Sequence, residues 1–396
     1  MSRPRHHVEG VRPVSDIVIS GLGLVTPFGR GVEPYWQGLL GGRSALGAAR
    51  RFAAPLYRGE PVGEVPWDPA PGDAPRKSAY ARAAFGEALR AAGLAELPDG
   101  AVVLVVGQAP ATAPAPAPAP DGRLLEEERE FLGPDPAGVL GSGGGSASPR
   151  VLHLSHACAS AVFAVGYARE LLRAGAAPVA VVVGSSVLNQ YEYASMDVVR
   201  AVGRTAARPF DAERAGISLG EGGGAVVLEH AERARARGAL ADITVAGAAC
   251  RVSGPKAAAS DAAQVARCMR DALADAAADR LDHVHAHATG TGQGDAAELT
   301  ALEAVAAESG ARALPVSSHK GAIGHLLHIS GAPAIAAAAL TLRTGIAPPT
   351  AGLRAPGPTE RIVLPTAPLE LAGARTAAVN SFGFGGNNAS LLLLRR

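Results

Sequence analysis

Short apolar runs alternate with alanine-rich segments along this chain, and no other feature limits its fold as strongly. The runs "AVVLVVG" and "PVAVVVGSS" are apolar at nearly every position, which is typical of strands buried on both faces of a sheet. The segment "SAYARAAFGEALRAAGL" repeats apolar residues at helical spacing and closes at Gly93. Strands that alternate with helices in this way form a largely parallel sheet covered by helices. The chain is therefore predicted to adopt an α/β fold.

Composition narrows the class of protein. With 396 residues, 48% of them hydrophobic, the chain can bury a large core as one domain or as two packed halves. A net charge of +1 does not favour nucleic acid or another strongly charged partner. The cysteines form no CxxC pair, the N-terminus is polar and basic, and no apolar run approaches the roughly 20 residues of a membrane span. We therefore expect a cytoplasmic protein without disulfides, membrane contact or bound nucleic acid.

An insert of unusual composition interrupts the pattern. Residues 109–122 alternate Ala and Pro, which cannot join a sheet ladder and predicts an extended, exposed loop. The segment "GSGGGSASP" lies further along, and the two frame a short acidic helical pattern, "LLEEEREFL". The role of this insert stays open.

A single cysteine stands where a strand pattern changes to a helix pattern. Cys158 follows "VLHL" and precedes "ASAVFAVGYARELLRAG", which predicts a sulfur at a helix N-terminus. Unpaired N–H groups and the helix dipole favour a thiolate at that position, as a nucleophile requires. A small thiol packed in a core is the alternative, and position alone leaves both open.

Alternating histidines occupy a second strand pattern. His283, His285 and His287 in "HVHAHATGTGQGDAAE" would face the same side of a strand, a geometry that admits a metal site. No further motif of metallohydrolase type accompanies them, so His283 and His285 are expected to be ordinary strand histidines. A helix is predicted to begin near Asp295.

Two glycine-containing turns complete the set of candidate residues. In "SSHKGAIGHLLHISGA", Lys320 and His325 flank a turn that should start a helix, where a histidine could donate to a carbonyl oxygen or simply pack. The segment "NSFGFGGNNASLLLL" enters a C-terminal strand through a turn whose backbone N–H groups can approach a ligand closely.

These pieces, in this order, resemble the β-ketoacyl synthases of the thiolase superfamily, specifically the stand-alone synthase II type. The resemblance covers nearly the whole chain and includes "SGLGLVTPFG", "ARPFDAERAGISLGEGGGAVVLEHAERARARGA" and "APPTAGL". It implies a five-layer α/β/α/β/α fold of two similar halves. Residues 17–240 would carry the nucleophilic cysteine, and residues 241–396 would carry the catalytic histidines.

The resemblance also implies a reaction. Cys158 would take an acyl group from the phosphopantetheine thioester of an acyl carrier protein, and malonyl-carrier protein would then lose CO2 to form an enolate that attacks the acyl-cysteine. His287 and His325 match the catalytic histidines, and Lys320 matches a lysine that supports them electrostatically. The backbone N–H groups of Cys158 and Phe384 match the oxyanion hole, and Phe384 also matches a gating aromatic. No metal and no permanently bound cofactor is implied.

Two acidic positions of the family are matched by Asp295 and Glu298. We expect both to be structural, at a helix start and in a buried ion pair.

The sequence departs from the family pattern in several places. A glutamate that usually helps to hold the lysine is replaced by Ala334, so Lys320 is expected to be oriented or charged differently. The other departures lie beside the catalytic residues and are His156, Ala288, His328, Ile329 and Ser330. They keep acyl transfer without condensation open as an alternative, and a metal-dependent hydrolase using the strand histidines as a distant third.

Partners follow from the same resemblance. Carrier proteins of this system are generally acidic, and Arg200, Arg204 and Arg208 recur at every fourth residue, which predicts one basic helix face for docking. A solvated arginine face or an internal salt bridge is the alternative. The resemblance implies a dimer through the strand that precedes Cys158. The partner would be a second copy or a cysteine-free subunit of the chain-length-factor type, and Cys158 argues against this chain being that subunit.

Overall fold

A computed structural model describes residues 16–50, 57–70, 75–109, 132–141, 149–253 and 261–396. Most of the insert lies outside the described residues: the Ala-Pro stretch after Ala109, the acidic pattern up to residue 131, and residues 142–148 of the Gly-Ser segment. The predictions made for these segments stay predictions.

Strands and helices follow one another along the described chain. The strands are β1 (Ile17–Thr26), β2 (Gly29–Arg30), β3 (Val102–Val106), β4 (Arg150–Leu154), β5 (Val179–Ser186), β6 (Gly222–His230), β7 (Ile243–Val252), β8 (His283–His285), β9 (Leu314–Ser317), β10 (Ile346–Ala347), β11 (Ile362–Val363), β12 (Leu369–Glu370), β13 (Thr376–Gly383) and β14 (Asn387–Arg395). The helices are α1 (Val32–Leu40), α2 (Arg76–Ala91), α3 (Pro136–Leu140), α4 (Ser160–Arg173), α5 (Gln190–Val198), α6 (Ala231–Ala236), α7 (Ala262–Asp275), α8 (Gly292–Glu308), α9 (Lys320–Ile323) and α10 (Gly331–Thr344), with a 3₁₀ turn at Leu327–Ile329.

The strand order repeats itself. From one edge inwards, β4, β3, β5, β6 and β1 follow the same order and directions as β9, β8, β13, β14 and β7. In each set the first three strands are parallel and the last two are antiparallel to their neighbours. A single residue pair, Val18 with Thr244, joins β1 to β7 and links the two sets. The fold therefore consists of two similar halves, and the predicted boundary at residues 240 and 241 lies between α6 and β7.

Helices cover these sheets in layers. Each set of five strands forms one sheet of the fold. Helix α2 packs on the outer face of the sheet that contains β1, and α7 with α8 covers the sheet that contains β7. Helices α4 and α10 lie between the sheets, since each contacts strands of both halves. The predicted five-layer α/β/α/β/α architecture is confirmed. No helix within the described ranges combines the length and apolarity needed to cross a bilayer.

The composition of the central helix follows from its position. Almost every residue of α10 is buried, because protein surrounds the helix on all sides. A side chain at Gly331 would stand 2.8 Å from Val162 Cγ2 of α4, so the two central helices meet where one of them has no side chain. The alanine-rich sequence allows this close approach.

Candidate active site

Cys158 occupies a tight turn between β4 and α4. Ala157 adopts the left-handed conformation, with φ of 48°, and Ser160 is the first residue of the helix. The Oγ of Ser160 accepts from the backbone N–H of His156 at 2.7 Å, and the Cys158 carbonyl oxygen accepts from Ser381 Oγ at 2.8 Å. The turn is therefore held from both sides, and the predicted placement of Cys158 at the start of a helix is confirmed.

The glycine-rich turn after β13 lies directly against this cysteine. A Cβ at Gly383 would stand 2.8 Å from the backbone nitrogen of Cys158, so only glycine leaves that N–H unobstructed. Phe384 is 44% exposed and lines the same pocket as Cys158. The turn thus lies against the cysteine, while its approach to a ligand and the oxyanion-hole and gating roles stay predictions.

Two imidazoles face the cysteine across a pocket of about 340 Å³. His287 follows β8 and His325 follows α9, and their rings meet edge to face with centroids 5.5 Å apart. Both rings line the pocket together with Cys158. Burial, reinforced by the positive charge of Lys320, holds the pKa of each imidazole well below the usual 6.5. Both side chains are therefore neutral near pH 7, and each can offer one N–H donor.

Lys320 is buried beside His287. Its Nζ donates to the His287 carbonyl oxygen and lies 3.4 Å from Nδ1 of the same residue. Burial lowers the pKa of the lysine to about 8, although the negative charge of Glu298 opposes that shift. Despite the alanine at position 334, the lysine is thus directed at His287 and mostly charged at pH 7.

Asp295 and Glu298 hold the loop that carries His287. Glu298 accepts the N–H of His287 at 2.9 Å and that of Ala288 at 2.7 Å, while Asp295 accepts the N–H of Thr289 at 3.0 Å. Burial raises the pKa of Asp295 to about 6 and that of Glu298 to about 7. The expected structural role at a helix start agrees with α8 beginning at residue 292. Among the described residues the expected buried ion pair is not a direct contact, because the donors to Glu298 are backbone amides and the Asn380 side-chain amide, but the charges of Glu298 and Lys320 do interact.

The predicted arginine face is also wrong. Helix α5 ends at Val198, and Arg200 adopts a left-handed conformation with φ of 56°, so the three arginines share no helix. Arg208 pairs with Asp211 and Glu213 at 2.9 Å each, which is the salt-bridge alternative. Arg200 instead lines the pocket that contains Cys158, and both it and Arg204 are exposed.

The three alternating histidines do not form a metal centre. His287 lines the pocket, His285 Nε2 lies 3.0 Å from His319 Nδ1, and His283 is buried with neither ring nitrogen bonded among the described residues. In that part of the chain no three His, Cys, Asp or Glu side chains are arranged to hold a metal ion. The hydrolase alternative therefore lacks a ligand set there.

His319 was not among the predicted site residues, and no polar partner was predicted for His285. His319 Nε2 also lies 3.2 Å from Ser330 Oγ, one of the departures. The only sequence signal was that His319 immediately precedes Lys320. Another departure, His156, stacks on Phe163 with centroids 4.9 Å apart and lies 3.0 Å from the sulfur of Cys250. The other departures are packed beside the candidate catalytic residues, where burial lowers the pKa of His328 to about 4.

A thiol at a helix start, opposite two neutral imidazoles, is suited to transferring acyl groups through a covalent thioester. Residues 145–234 match the family model for the β-ketoacyl synthase N-terminal domain, and residues 240–354 match that for the C-terminal domain. The chain belongs to the β-ketoacyl synthase family, and it is an acyl-transferring condensing enzyme.

Individual relatives agree with this placement. The tetracenomycin polyketide synthase ketoacyl synthase alpha subunit of Streptomyces glaucescens is 33% identical over 96% of this chain and 97% of its own length. The 3-oxoacyl-[acyl-carrier-protein] synthase 2 of Rhizobium meliloti is 38% identical, over 60% of this chain and 59% of its own length. The solved structure of the ishigamide ketosynthase/chain length factor superposes with a TM-score of 0.83 at 29% identity, covering 97% of this chain and all of the other.

Proposed function

We propose that this protein is a β-ketoacyl-acyl carrier protein synthase of fatty acid or polyketide biosynthesis. Its reaction is the decarboxylative condensation of a Cys158-bound acyl group with malonyl-carrier protein. The observation that carries the proposal is that Cys158, His287 and His325 line one pocket, with both imidazoles held neutral by burial. The names of the relatives support the same reaction and the same carrier-bound substrates.

The first half-reaction uses the cysteine turn. The Cys158 thiolate attacks the carbonyl carbon of the acyl-carrier thioester, and the carrier's pantetheine thiol leaves with a proton. Helix α4 begins two residues after the nucleophile, so its N-terminal dipole stabilises the thiolate. The backbone N–H groups of Cys158 and Phe384 are proposed to receive the oxyanion, which the close approach of Gly383 to the Cys158 nitrogen supports.

The second half-reaction uses the histidines. His287 and His325 donate N–H groups to the thioester oxygen of the malonyl unit, whose carboxylate leaves as CO2 while the enolate forms. With Lys320 donating to Nδ1, His287 carries its proton on Nε2. The enolate carbon then attacks the acyl-cysteine carbonyl, and the Cys158 thiolate leaves. The product is a β-ketoacyl-carrier thioester two carbons longer than the starting acyl group.

The carrier protein is proposed to dock at the mouth of the pocket. Arg200 lines that mouth, and its neighbours Val198 and Val199 are 75% and 53% exposed. An exposed cation beside exposed apolar residues suits an acidic carrier that delivers a phosphopantetheine arm. Arg204, exposed nearby in the chain, is assigned a weaker electrostatic part.

We also propose a dimer through β4. This strand ends the sheet order, and its residues from Val151 to Leu154 are only half-buried. On the adjoining helix, Tyr167 is 40% exposed. An edge strand with apolar side chains favours pairing with another chain. That chain is a second copy or a chain-length-factor-like subunit, and light scattering of the purified protein distinguishes a homodimer from a monomer awaiting its partner.

The decisive experiment is mass spectrometry of carrier-bound products. Purified protein is mixed with an acyl-carrier and malonyl-carrier, and the Cys158→Ala variant is run alongside. A β-keto thioester two carbons longer that requires Cys158 is the expected result. Acylation of Cys158 without extension would overturn the condensation step and favour acyl transfer between carriers.

A further inference from the structure

Three buried polar side chains form a hydrogen-bonded series behind the catalytic pocket. The Nε2 atom of His285 lies 3.0 Å from Nδ1 of His319, and Nε2 of His319 lies 3.2 Å from Oγ of Ser330. None of the three residues is more than 1% exposed, and none lines the pocket. They therefore cannot touch a substrate held there, and any effect they have must pass through their neighbours.

Each member is close in sequence to a catalytic residue. His285 ends β8 two residues before His287, and His319 immediately precedes Lys320. Ser330 is the N-cap of α10, and it follows the 3₁₀ turn Leu327–Ile329, which begins two residues after His325. The two hydrogen bonds thus join the three backbone segments that carry the two catalytic imidazoles and the supporting lysine.

The donor and acceptor roles in these two hydrogen bonds depend on each other. A neutral imidazole has one N–H donor and one lone-pair acceptor, so His319 can satisfy both neighbours only by donating to one and accepting from the other. Burial lowers the pKa of His285 and His319 well below 6.5, which keeps both neutral. A buried hydrogen bond that is lost leaves unsatisfied polar atoms, so a shift of one segment is opposed by the others.

We propose that His285, His319 and Ser330 are positioning residues that hold His287, Lys320 and His325 in the relative arrangement required for decarboxylation. The proposal rests on the proposed function, since decarboxylation is the step in which the two imidazoles act together on one oxygen.

Substitutions at His319 separate the two bonds. His319→Leu removes both, His319→Asn keeps a polar group near the position of Nδ1, and His319→Gln keeps one near that of Nε2. His283→Asn is the matched control, because His283 is equally buried on the same strand but bonds to neither neighbour. Release of CO2 from malonyl-carrier is measured for each variant over a range of pH, together with its thermal midpoint.

His319→Leu is expected to lower kcat for CO2 release at least tenfold, with KM for malonyl-carrier changed less than twofold. The Asn and Gln variants should recover part of the rate, and His283→Asn should keep kcat within twofold even where it lowers the thermal midpoint. The positioning role is overturned if His319→Leu matches His283→Asn in kcat, or if its loss lies entirely in KM.

A second measurement does not depend on turnover. In protein labelled with ¹⁵N-histidine, the ring signals of His287 and His325 are expected to move in His319→Leu and to stay unchanged in His283→Asn. A wild-type protein that releases no CO2 would refute the proposed function, whereas unchanged ring signals in His319→Leu would refute the positioning network.

Discussion

The Nζ atom of Lys320 lies 3.4 Å from Nδ1 of His287, and it also donates to the carbonyl oxygen of that histidine. One buried cation thereby contacts both the ring and the backbone of a histidine that is proposed to be catalytic. Because burial holds the pKa of the lysine near 8, its charge changes within the pH range in which the enzyme can be assayed.

This contact predicts a pH dependence. Below pH 8 the lysine is charged and donates to Nδ1, which leaves the His287 proton on Nε2. As the pH rises through about 8 the charge is lost, so CO2 release from malonyl-carrier should decline. The Lys320→Met variant should be slower and should lack this alkaline limb. A wild-type rate that stays constant between pH 7 and 9 would contradict the role of the lysine.

The cysteine and the histidines should be separable by mutation. Cys158→Ala removes the acyl acceptor but leaves both imidazoles, so it should still release CO2 from malonyl-carrier while forming no condensed product. His325→Ala should lose CO2 release by a factor of about 10² or more, since one oxyanion donor is removed, yet still acylate Cys158. Radiolabelled CO2 and intact-protein mass spectrometry report the two activities, and CO2 release that survives without His325 would refute its assignment.

Charge reversal at the pocket mouth should weaken carrier docking. Arg200→Glu combined with Arg204→Glu is expected to raise the apparent KM for malonyl-carrier several-fold, most strongly at low salt, with kcat nearly unchanged. Arg312→Glu is the matched control, since Arg312 is exposed but lines a different pocket. If the double variant and the Arg312→Glu control changed KM equally, or if the double variant left KM unchanged, docking at this mouth would be ruled out.

The contact between Gly383 and the turn that carries Cys158 predicts that one added methyl group slows acylation. A Cβ at residue 383 would stand 2.8 Å from the Cys158 nitrogen and 2.9 Å from the Ala157 Cβ, so Gly383→Ala must displace the turn. Acylation of Cys158 should slow at least tenfold, as measured by stopped-flow quenching and mass spectrometry. Gly385→Ala is less informative because its φ of 82° adds backbone strain of its own. Acylation at the wild-type rate would show that the turn tolerates displacement.

Burial of His283 predicts that the folded protein loses stability in acid. Its pKa is lowered to about 3, so between pH 6.5 and 3 the unfolded chain binds a proton that the folded chain does not. The free energy of unfolding therefore falls as the pH drops below 6.5, by up to about 1.4 kcal/mol per pH unit from this residue. His283→Phe should unfold with a shallower pH dependence and gain about 2 kcal/mol over wild type between pH 6.5 and 5. Urea titrations at both pH values test this, and parallel pH profiles would contradict it.

Much of the fold follows from local patterns. The apolar runs became β3 and β5, and the alanine-rich segment became α2, because a continuous apolar run and a helical repeat each bury well in only one arrangement. The spacing of charged residues was a poor guide, because exposed arginines are not required to bury on one face of a helix. Three arginines at four-residue intervals indicated a helix face, yet α5 stops at Val198 and the chain turns at Arg200.

The sequence by itself determined the order of the chemical groups and the local setting of Cys158, since a strand, a turn and a helix start lie within a few residues of one another. Tertiary structure alone decided which distant groups meet. His285 and His319 are 34 residues apart and come together because β8 and β9 pair in parallel, with His285 opposite Ser317. Glu298 likewise accepts from the backbone amides of His287 and Ala288, which lie 10 or 11 residues before it in the sequence. Hydrogen-bond partners depend on distances of about 3 Å across the packed interior, and local periodicity carries no information about those distances.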